Sequence, residues 1–448
     1  MNVILSTFGP LHLIKGANYI CNYVNLTILQ GWLPTPRQQW LVNLLSKIIH
    51  KDLNKSFKKR KCDGALSNIG LALPEFFLWF GKMVPYSGFT NDKAARLYGF
   101  LCKKHIHNAS IFHVRAGNGR GGAIVKAKKE GMRIVVDASI AHNAFIEKVL
   151  KPEYDNYNMY WGFGPDSPFW KQVLEDCQDS DVLLVNSDFV KRTFVNEGYD
   201  PNKIKVAYLG VRKDFYSLKK DYKISSNAAI KVLFTGGFGF RKGGYYLLEA
   251  IHKIHDRGIK VELYIVGSFA DERKILSRYD ADYIHYIGFV PQDELKQYLT
   301  DCDMYVFPSL AEGCASSGME ALAAGIPVIA TEESGLPLTN GKNGIIIPQK
   351  DSEAILQKTT ITQYQILYLN KYDDLKFYYS TIICDGVLFE GTNALRRNIR
   401  FEGKLEYSSY IKDNSNISAD IGRFTSIVLT HINILQQRIP CSFCKMSK

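Results

Sequence analysis

The sequence predicts an α/β protein with two doubly wound halves, each a parallel sheet covered by helices on both faces, followed by a tail of another kind. Three observations carry this reading. Short, uninterrupted apolar runs recur along residues 1–357, as strands buried on both faces require. The stretches between them leave room for one crossover helix each, the connection that parallel strands need. Beyond residue 357 that rhythm stops.

In the first half the strand-like runs are 3–5, 111–114, 133–136 and 182–185, interleaved with helical stretches. In the second they are 231–234, 261–266, 283–287, 304–307 and 327–330. The boundary falls near residues 199–205, which gives domains 1–205 and 206–357 and a tail 358–448. Two such halves place a ligand in the cleft between them, at the carboxyl ends of the strands. In the tail, Ile411 and Ile417 stand six apart, as do Ile421 and Ile427, a spacing that suggests coils of a β-helix. A stable stack needs roughly three or more repeats, so the tail reads as an incomplete third module.

Hydrophobic residues make up 46% of the chain, ample for buried cores and too many for general disorder. The formal charge of +12 suits nucleic acid, an anionic membrane or phosphorylated small molecules without choosing among them. No helix-turn-helix, zinc-finger or RNA-binding signature accompanies the charge, so nucleic acid is not the expected partner. Nine cysteines stand singly except for Cys441-x-x-Cys444, which is neither a disulfide framework nor a paired zinc motif, and a reducing, cytoplasmic compartment fits them. The opening residues read as a strand without the basic stretch of a signal peptide, and no apolar run has the length to cross a bilayer. Within residues 40–61, Trp40, Leu41, Leu44, Leu45, Ile48 and Ile49 form one helical stripe ahead of Lys51, Lys55, Lys58, Lys59, Arg60 and Lys61. That arrangement suits an anionic membrane surface, and a core-facing helix with a solvated basic end competes with it.

The chemistry gathers in two segments. FTGGFGFRKGG, residues 234–244, ends a strand, turns through Gly236, Gly237 and Gly239, and opens a helix behind Arg241 and Lys242. Glycines let the backbone approach a ligand, a helix start offers N–H groups, and the basic pair adds fixed charge, together suited to a phosphate or diphosphate. A tight strand-to-helix turn with solvated cations would need the same residues. The spacing Gly237-x-Gly239-x-x-x-Gly243 is not GxGxxG, and no acidic residue follows strand 261–266, which weakens a dinucleotide site.

The second segment is EGCASSGME, residues 312–320. Glu312 follows the carboxyl end of a strand, where α/β ligands bind, and Gly313, Cys314, Ala315 and Ser316 are small enough to let backbone N–H groups meet an anion. Ser317 and Glu320 read as a capping box, Ser317 as N-cap and Glu320 at N3, so Glu320 has a structural excuse that Glu312 lacks. Asp301-x-Asp303 precedes a strand, the wrong side for a strand-end metal site, and Asp303 reads as a helix-to-strand connector.

RKG at 241–243, DMYVFPSLAEG, the Glu312/Glu320 pair, GIPVIAT at 325–331 and NGIIIP at 343–348 stand in an order and spacing that is specific as a set. Together they resemble the donor domain of the retaining glycosyltransferases of family 4 (glycosyltransferases group 1). That family has the GT-B fold, two Rossmann-like domains facing across a cleft. The likeness runs over residues 232–348, and more loosely over 182–211 and 135–145, where VVDASIAHNAF looks like the segment bearing the family's active-site histidine.

The resemblance implies an acceptor-side first domain and a donor-binding second one. Lys242 with Arg241 would neutralise the diphosphate of a nucleotide-sugar, Glu320 would bind ribose hydroxyls, and Glu312 would hold the transferred sugar. The backbone of Gly313, Cys314, Ala315, Ser316 and Ser317 would meet phosphate, with Gly237 and Val290 among the substrate-binding positions, and His142 would face the sugar from the first domain. The implied reaction moves a sugar to a glycan or lipid-linked acceptor with retention, with no metal and no cofactor beyond the nucleotide-sugar co-substrate. In such a front-face displacement the leaving phosphate helps take the acceptor's proton.

Three features depart from the pattern. Phe238 stands where an arginine is frequent, Cys314-Ala-Ser-Ser replaces a Phe-Gly-Leu-Pro-like stretch, and the family's closing helices are not recognisable after Ile355. Phe238, the missing closing helices and the unusual tail favour, as the alternative, a nucleotide-sugar-binding or scaffolding protein of the same fold that has lost catalysis. The tail weakly resembles hexapeptide-repeat acyltransferases, with Val428 where a glycine is expected.

Overall fold

The computed structural model describes residues 1–360 apart from 10–11, 49, 51, 59, 85–89, 223–227 and 270–276, and the tail's six-residue spacing lies outside the described residues. Two parallel sheets are present. The first has seven strands in the order β3-β2-β1-β4-β5-β6-β7: β1 (Asn2–Thr7), β2 (Asn25–Gln30), β3 (Ser67–Gly70), β4 (Ile111–Arg115), β5 (Arg133–Ala138), β6 (Val182–Val185) and β7 (Ile204–Val206). The second has six in the order β10-β9-β8-β11-β12-β13: β8 (Ile230–Thr235), β9 (Val261–Val266), β10 (Ile284–Gly288), β11 (Met304–Phe307), β12 (Val328–Thr331) and β13 (Ile345–Ile347). Strand β7 straddles the boundary expected at 205/206.

Each sheet reverses direction at its first strand, because β1 lies between β2 and β4 and β8 lies between β9 and β11. The crevices that receive ligands in such sheets therefore open at the carboxyl ends of β1/β4 and β8/β11. Helices of the first domain are α1 (His12–Ile20), α2 (Gln39–Ile48), α3 (Leu53–Lys58), α4 (Leu73–Met83), α5 (Asn91–Cys102), α6 (Ala123–Lys129), α7 (Asn143–Asp155), α8 (Pro168–Gln178) and α9 (Asp188–Asn196). The second domain adds α10 (Gly244–Asp256), α11 (Gln292–Asp301) and α12 (Ser316–Ala324), and residues 352–360 are also helical. Asp303 acts as the connector expected of it: its carboxylate accepts the N–H of Lys231 at 2.8 Å, tying the entry of β11 to β8.

The amphipathic stretch divides its faces. Val42 is buried, and Leu41 and Leu45 pack with Phe57 and Phe76 around Trp32, which is the core-facing reading. Trp40, Leu44 and Ile48, one turn apart in succession, stay 67%, 47% and 62% exposed. Arg60 departs from the solvated basic end expected of this stretch. Its guanidinium turns inward, donating to the Trp32 carbonyl at 3.0 Å and to the Glu75 carboxylate at 2.5 Å, because a buried carboxylate needs a partner. Among the described residues no helix is long and apolar enough to cross a membrane.

Candidate active site

The glycine loop after β8 brings the two basic residues back under strand β11. Gly243 takes a left-handed conformation (φ 73°), and a Cβ there would meet the Pro308 carbonyl at 1.9 Å, so only glycine fits. Phe238 does not face the crevice where an arginine would be expected. It is 1% exposed and packs edge-on against Phe234, leaving the positive charge of this loop to Arg241 and Lys242. Gly236 is left-handed too (φ 116°), and a Cβ on it would lie 2.9 Å from Lys242 Nζ and 3.9 Å from Ser317 Oγ. Lys242, the glycine loop and the start of α12 thus meet at one point, with Gly237 beside Ser268 on the same loop.

The second segment differs from the expected capping box. Helix α12 begins at Ser316 with Ala315 as its N-cap, and no side chain caps it. Ser317 is already inside the first turn, and its hydroxyl accepts a hydrogen bond from Tyr305 at 3.1 Å, in a chain that continues to Thr235. Glu320 is therefore not a capping partner. No ion pair to it is present among the described residues, burial pushes its carboxyl up, and only the nearby charges of Lys15 and Arg212 pull it back.

Glu312 is the tethered one. Its carboxylate lies 2.6 Å from Arg241 and 3.4 Å from Lys242, and only 14% of its side chain is exposed. Arg241 also donates to the Ala311 carbonyl at 2.9 Å. Burial depresses the Lys242 ammonium below the ordinary lysine range, and Glu312 opposes that fall. Of the small residues between the glutamates, Ala315 has its N–H committed to the Ser334 carbonyl at 3.1 Å and has none left for an anion. Cys314 is buried, and its thiol is pushed up to about 12, so it is inert at neutral pH. Ser316 is exposed at the start of the helix, and Val290 packs half-buried against the second domain's core beyond β10.

The first domain touches this segment directly. Ser187, which caps α9 through the N–H of Val190, donates its hydroxyl to the Gly313 carbonyl at 2.6 Å. The N–H of Ala141 reaches the Glu312 carbonyl at 3.3 Å, and a Cβ on Gly313 would strike the Ser139 carbonyl at 2.0 Å. The His142 ring, by contrast, is turned away from Glu312 into the first domain. Its Nδ1 accepts the Ala144 N–H as the cap of α7, its ring stands edge-on to Phe194 and Tyr199, and it is 6% exposed.

Sequence reasoning missed the polar pair that does lie at this end of the sheet. His12, first residue of α1, places Nε2 3.0 Å from the carboxylate of Asp137, near the end of β5. Burial pushes Asp137 up, but His12, His113 and Arg115 outweigh it and hold the carboxyl below its ordinary value. The signal was a lone aspartate within an apolar strand run, and nothing local in the sequence pairs it with a histidine 125 residues away.

Comparison with known proteins places this geometry. Residues 229–361, which contain Arg241, Lys242, Glu312 and Glu320, match the family described as glycosyl transferases group 1. The putative colanic acid biosynthesis glycosyltransferase WcaL of Salmonella typhimurium is 29% identical over 201 residues, 42% of this chain and 48% of WcaL. The amylovoran biosynthesis glycosyltransferase AmsK of Erwinia amylovora is 28% identical over 189 residues, 39% of this chain and 46% of AmsK. The chain spans about half the length of these curated relatives. Among solved structures, Anabaena HepE, crystallised with UDP and glucose, superposes with a TM-score of 0.54 at 15% identity over 89% of this chain and 98% of that one. The two sheets and their connections are those of the GT-B fold.

Proposed function

We propose that this chain, whose residues 229–361 are similar to the group 1 glycosyltransferases, moves a sugar from a nucleotide-diphosphate donor to a glycan or lipid-linked acceptor. One observation carries the reading: Lys242, the glycine loop and the uncapped start of α12 converge on one point, with Glu320, a carboxylate that has no ion pair among the described residues, one turn further along the helix. A diphosphate fits the cation and the helix start, and ribose hydroxyls fit the carboxylate. Glu312, held between Arg241 and Lys242, is placed to accept hydrogen bonds from the transferred sugar. Developing charge on the leaving diphosphate would meet fixed cations and dipoles, which supports transfer without a metal. Retention of configuration is the outcome we assign, following the family-4 resemblance.

The glycan acceptor is supported by WcaL and AmsK, which are named for polysaccharide biosynthesis. Exposed Trp40, Leu44 and Ile48 beside the lysines of residues 47–61 support docking on an anionic membrane surface, on the cytoplasmic side. Calorimetry with UDP and other nucleoside diphosphates tests the donor site: Lys242→Ala should weaken binding by about tenfold or more, and an unaltered affinity refutes its role. Incubation with a nucleotide-sugar panel tests transfer, since a mere binding protein would protect donors without consuming them.

A further inference from the structure

We infer that the crevice at the carboxyl ends of β2, β1, β4 and β5 holds an acidic group of the acceptor, a carboxylate or a phosphate, on the guanidinium of Arg115. The inference rests on the proposed transfer and names the class of sugar that receives. Strand register builds the crevice. Thr7 pairs with Gln30 and Arg115 with Asp137, and Leu5 pairs with His113, which sets Thr7 and Arg115 opposite each other two residues on. Side chains alternate along a strand, and the Ser6 hydroxyl meets Tyr98 of α5 on one face of the sheet. Gln30, Thr7, Arg115 and Asp137 therefore form a row on the other face, the one covered by α1, where His12 meets Asp137. The row stands where the first sheet reverses direction. Lys15 of α1 is close enough to Glu320 for its charge to act on that carboxylate, so α1 borders the donor site from the first domain.

Two members of the row lack partners among the described residues. Gln30 is 2% exposed, and neither its amide nitrogen nor its amide oxygen is hydrogen-bonded. Arg115 is partly buried, and its guanidinium makes no hydrogen bond and no ion pair. Burial pulls that guanidinium below its ordinary value, and the charge of Asp137 opposes the fall. The Asp137 carboxylate is itself held by His12 at 3.0 Å, so it is already engaged. Buried polar groups are ordinarily paired, and an open amide in one row with an open guanidinium marks the place of a missing partner.

The chemistry of the row says what that partner is. A guanidinium presents a planar fork of donors that fits a carboxylate or a phosphate, and a glutamine amide both gives and takes hydrogen bonds with sugar hydroxyls. Gln30 and Arg115 end strands two places apart, about 10 Å, with Thr7 between them, so one acidic sugar spans the row. A neutral sugar would leave the guanidinium desolvated and unpaired, which selects against it. Arg115 thus positions the acceptor and takes no proton from it.

The test uses the full chain with its donor site filled by saturating UDP, and calorimetry with methyl glucuronide, glucose 6-phosphate and the neutral methyl glucoside. One acidic probe should bind about tenfold or more tighter than the neutral one, and which of them does so tells carboxylate from phosphate. Arg115→Gln should remove that advantage, a loss of about 10- to 100-fold, while UDP affinity stays within about twofold and the melting temperature holds or rises. Gln30→Leu should weaken acidic and neutral probes alike by about 3- to 10-fold. Equal binding of acidic and neutral probes, acidic-probe affinity left intact by Arg115→Gln, or affinities left intact by Gln30→Leu each overturns the site. If Arg115→Gln melts early, Arg115→Lys decides, because it keeps the charge facing Asp137 and loses the fork. Its acidic-probe binding should fall by about 3- to 10-fold at wild-type stability, and unchanged binding overturns the inference. A wild type that binds no UDP overturns the donor-site reading and the acceptor role with it, while a preference for the acidic probe that Arg115→Gln abolishes keeps the anion site itself.

Discussion

At the scale of single residues the two glutamates exchange the roles that spacing gave them. Glu320 was the one with a structural excuse, yet the helix starts at Ser316 and Glu320 caps nothing. Burial raises its pKa above the unfolded value, so its ionised form costs stability above the unfolded pKa, and the cost fades as pH falls. Glu320→Gln should therefore leave the melting temperature unchanged or slightly higher while weakening UDP binding by about 10- to 100-fold, the worth of a hydrogen bond to a charged group. A fall of several degrees with intact affinity would return Glu320 to the scaffold. Glu312 is instead clamped by Arg241 and Lys242, and it opposes the burial that depresses Lys242. Protonated Lys242 attracts the diphosphate, so UDP affinity should decline as pH rises from neutrality through a lysine pKa that is lower than ordinary. Glu312→Gln removes the opposing charge: UDP still binds at neutral pH, the alkaline decline begins earlier, and transfer is lost. Calorimetry across pH and turnover assays check each part, and unchanged turnover removes Glu312 from the mechanism.

At the scale of elements, the loop between β11 and α12 joins the domains through backbone atoms that no sequence pattern reports. Gly313 is buried against the Ser139 carbonyl and the Asn186 side chain, and its own carbonyl takes the Ser187 hydroxyl. Gly313→Ala must force these surfaces apart, at a cost of about 1–3 kcal/mol for an added methyl in a packed site. The expected result is a lower melting temperature and a drop in turnover, with UDP binding by the second domain less affected; wild-type stability would show that the contact is loose. The elements themselves were legible to different degrees. Central strands such as β5 and β11 are covered on both faces and show as unbroken apolar runs, and each expected run coincides with a strand to within two residues at either end. The edge strands β3, β7 and β13, and the neighbouring β2, were not anticipated. SNIG and IKV are too short and too polar to stand out, and NLTILQ interrupts its apolar run with a threonine. The donor loop was legible because glycines and charges cluster within a dozen residues. The α12 cap was misread because the serine–glutamate spacing is compatible with a capping box whether or not the helix begins there. The His12–Asp137 pair was invisible because only folding brings its members together.

At the scale of the whole molecule, the end of α7 carries a second connection between the domains, beyond the Gly313 contact. Glu153 on α7 is 6% exposed, accepts the Tyr246 hydroxyl of α10 at 2.9 Å and lies 2.6 Å from Lys350, whose ammonium also donates to the Val149 carbonyl at 2.8 Å. Just beyond α7, Tyr157 stacks on Phe240 with ring centroids 5.0 Å apart, and Phe240 directly precedes Arg241. The same packing that joins the domains thus supports the turn that carries the donor cations. Removing Glu153 leaves Lys350 and Tyr246 without their shared acceptor, a loss of about 2 kcal/mol when the partial exposure of Lys350 is allowed for. Glu153→Ala should then separate a single calorimetric transition into two, because each sheet has its own hydrophobic core and the interface is what couples them. UDP should raise only the transition of the donor domain, by mass action on the folded form it binds. One unsplit transition in the variant, shifted as a whole by UDP, would show that the remaining contacts, at Gly313 and between Tyr157 and Phe240, are enough to couple the two domains.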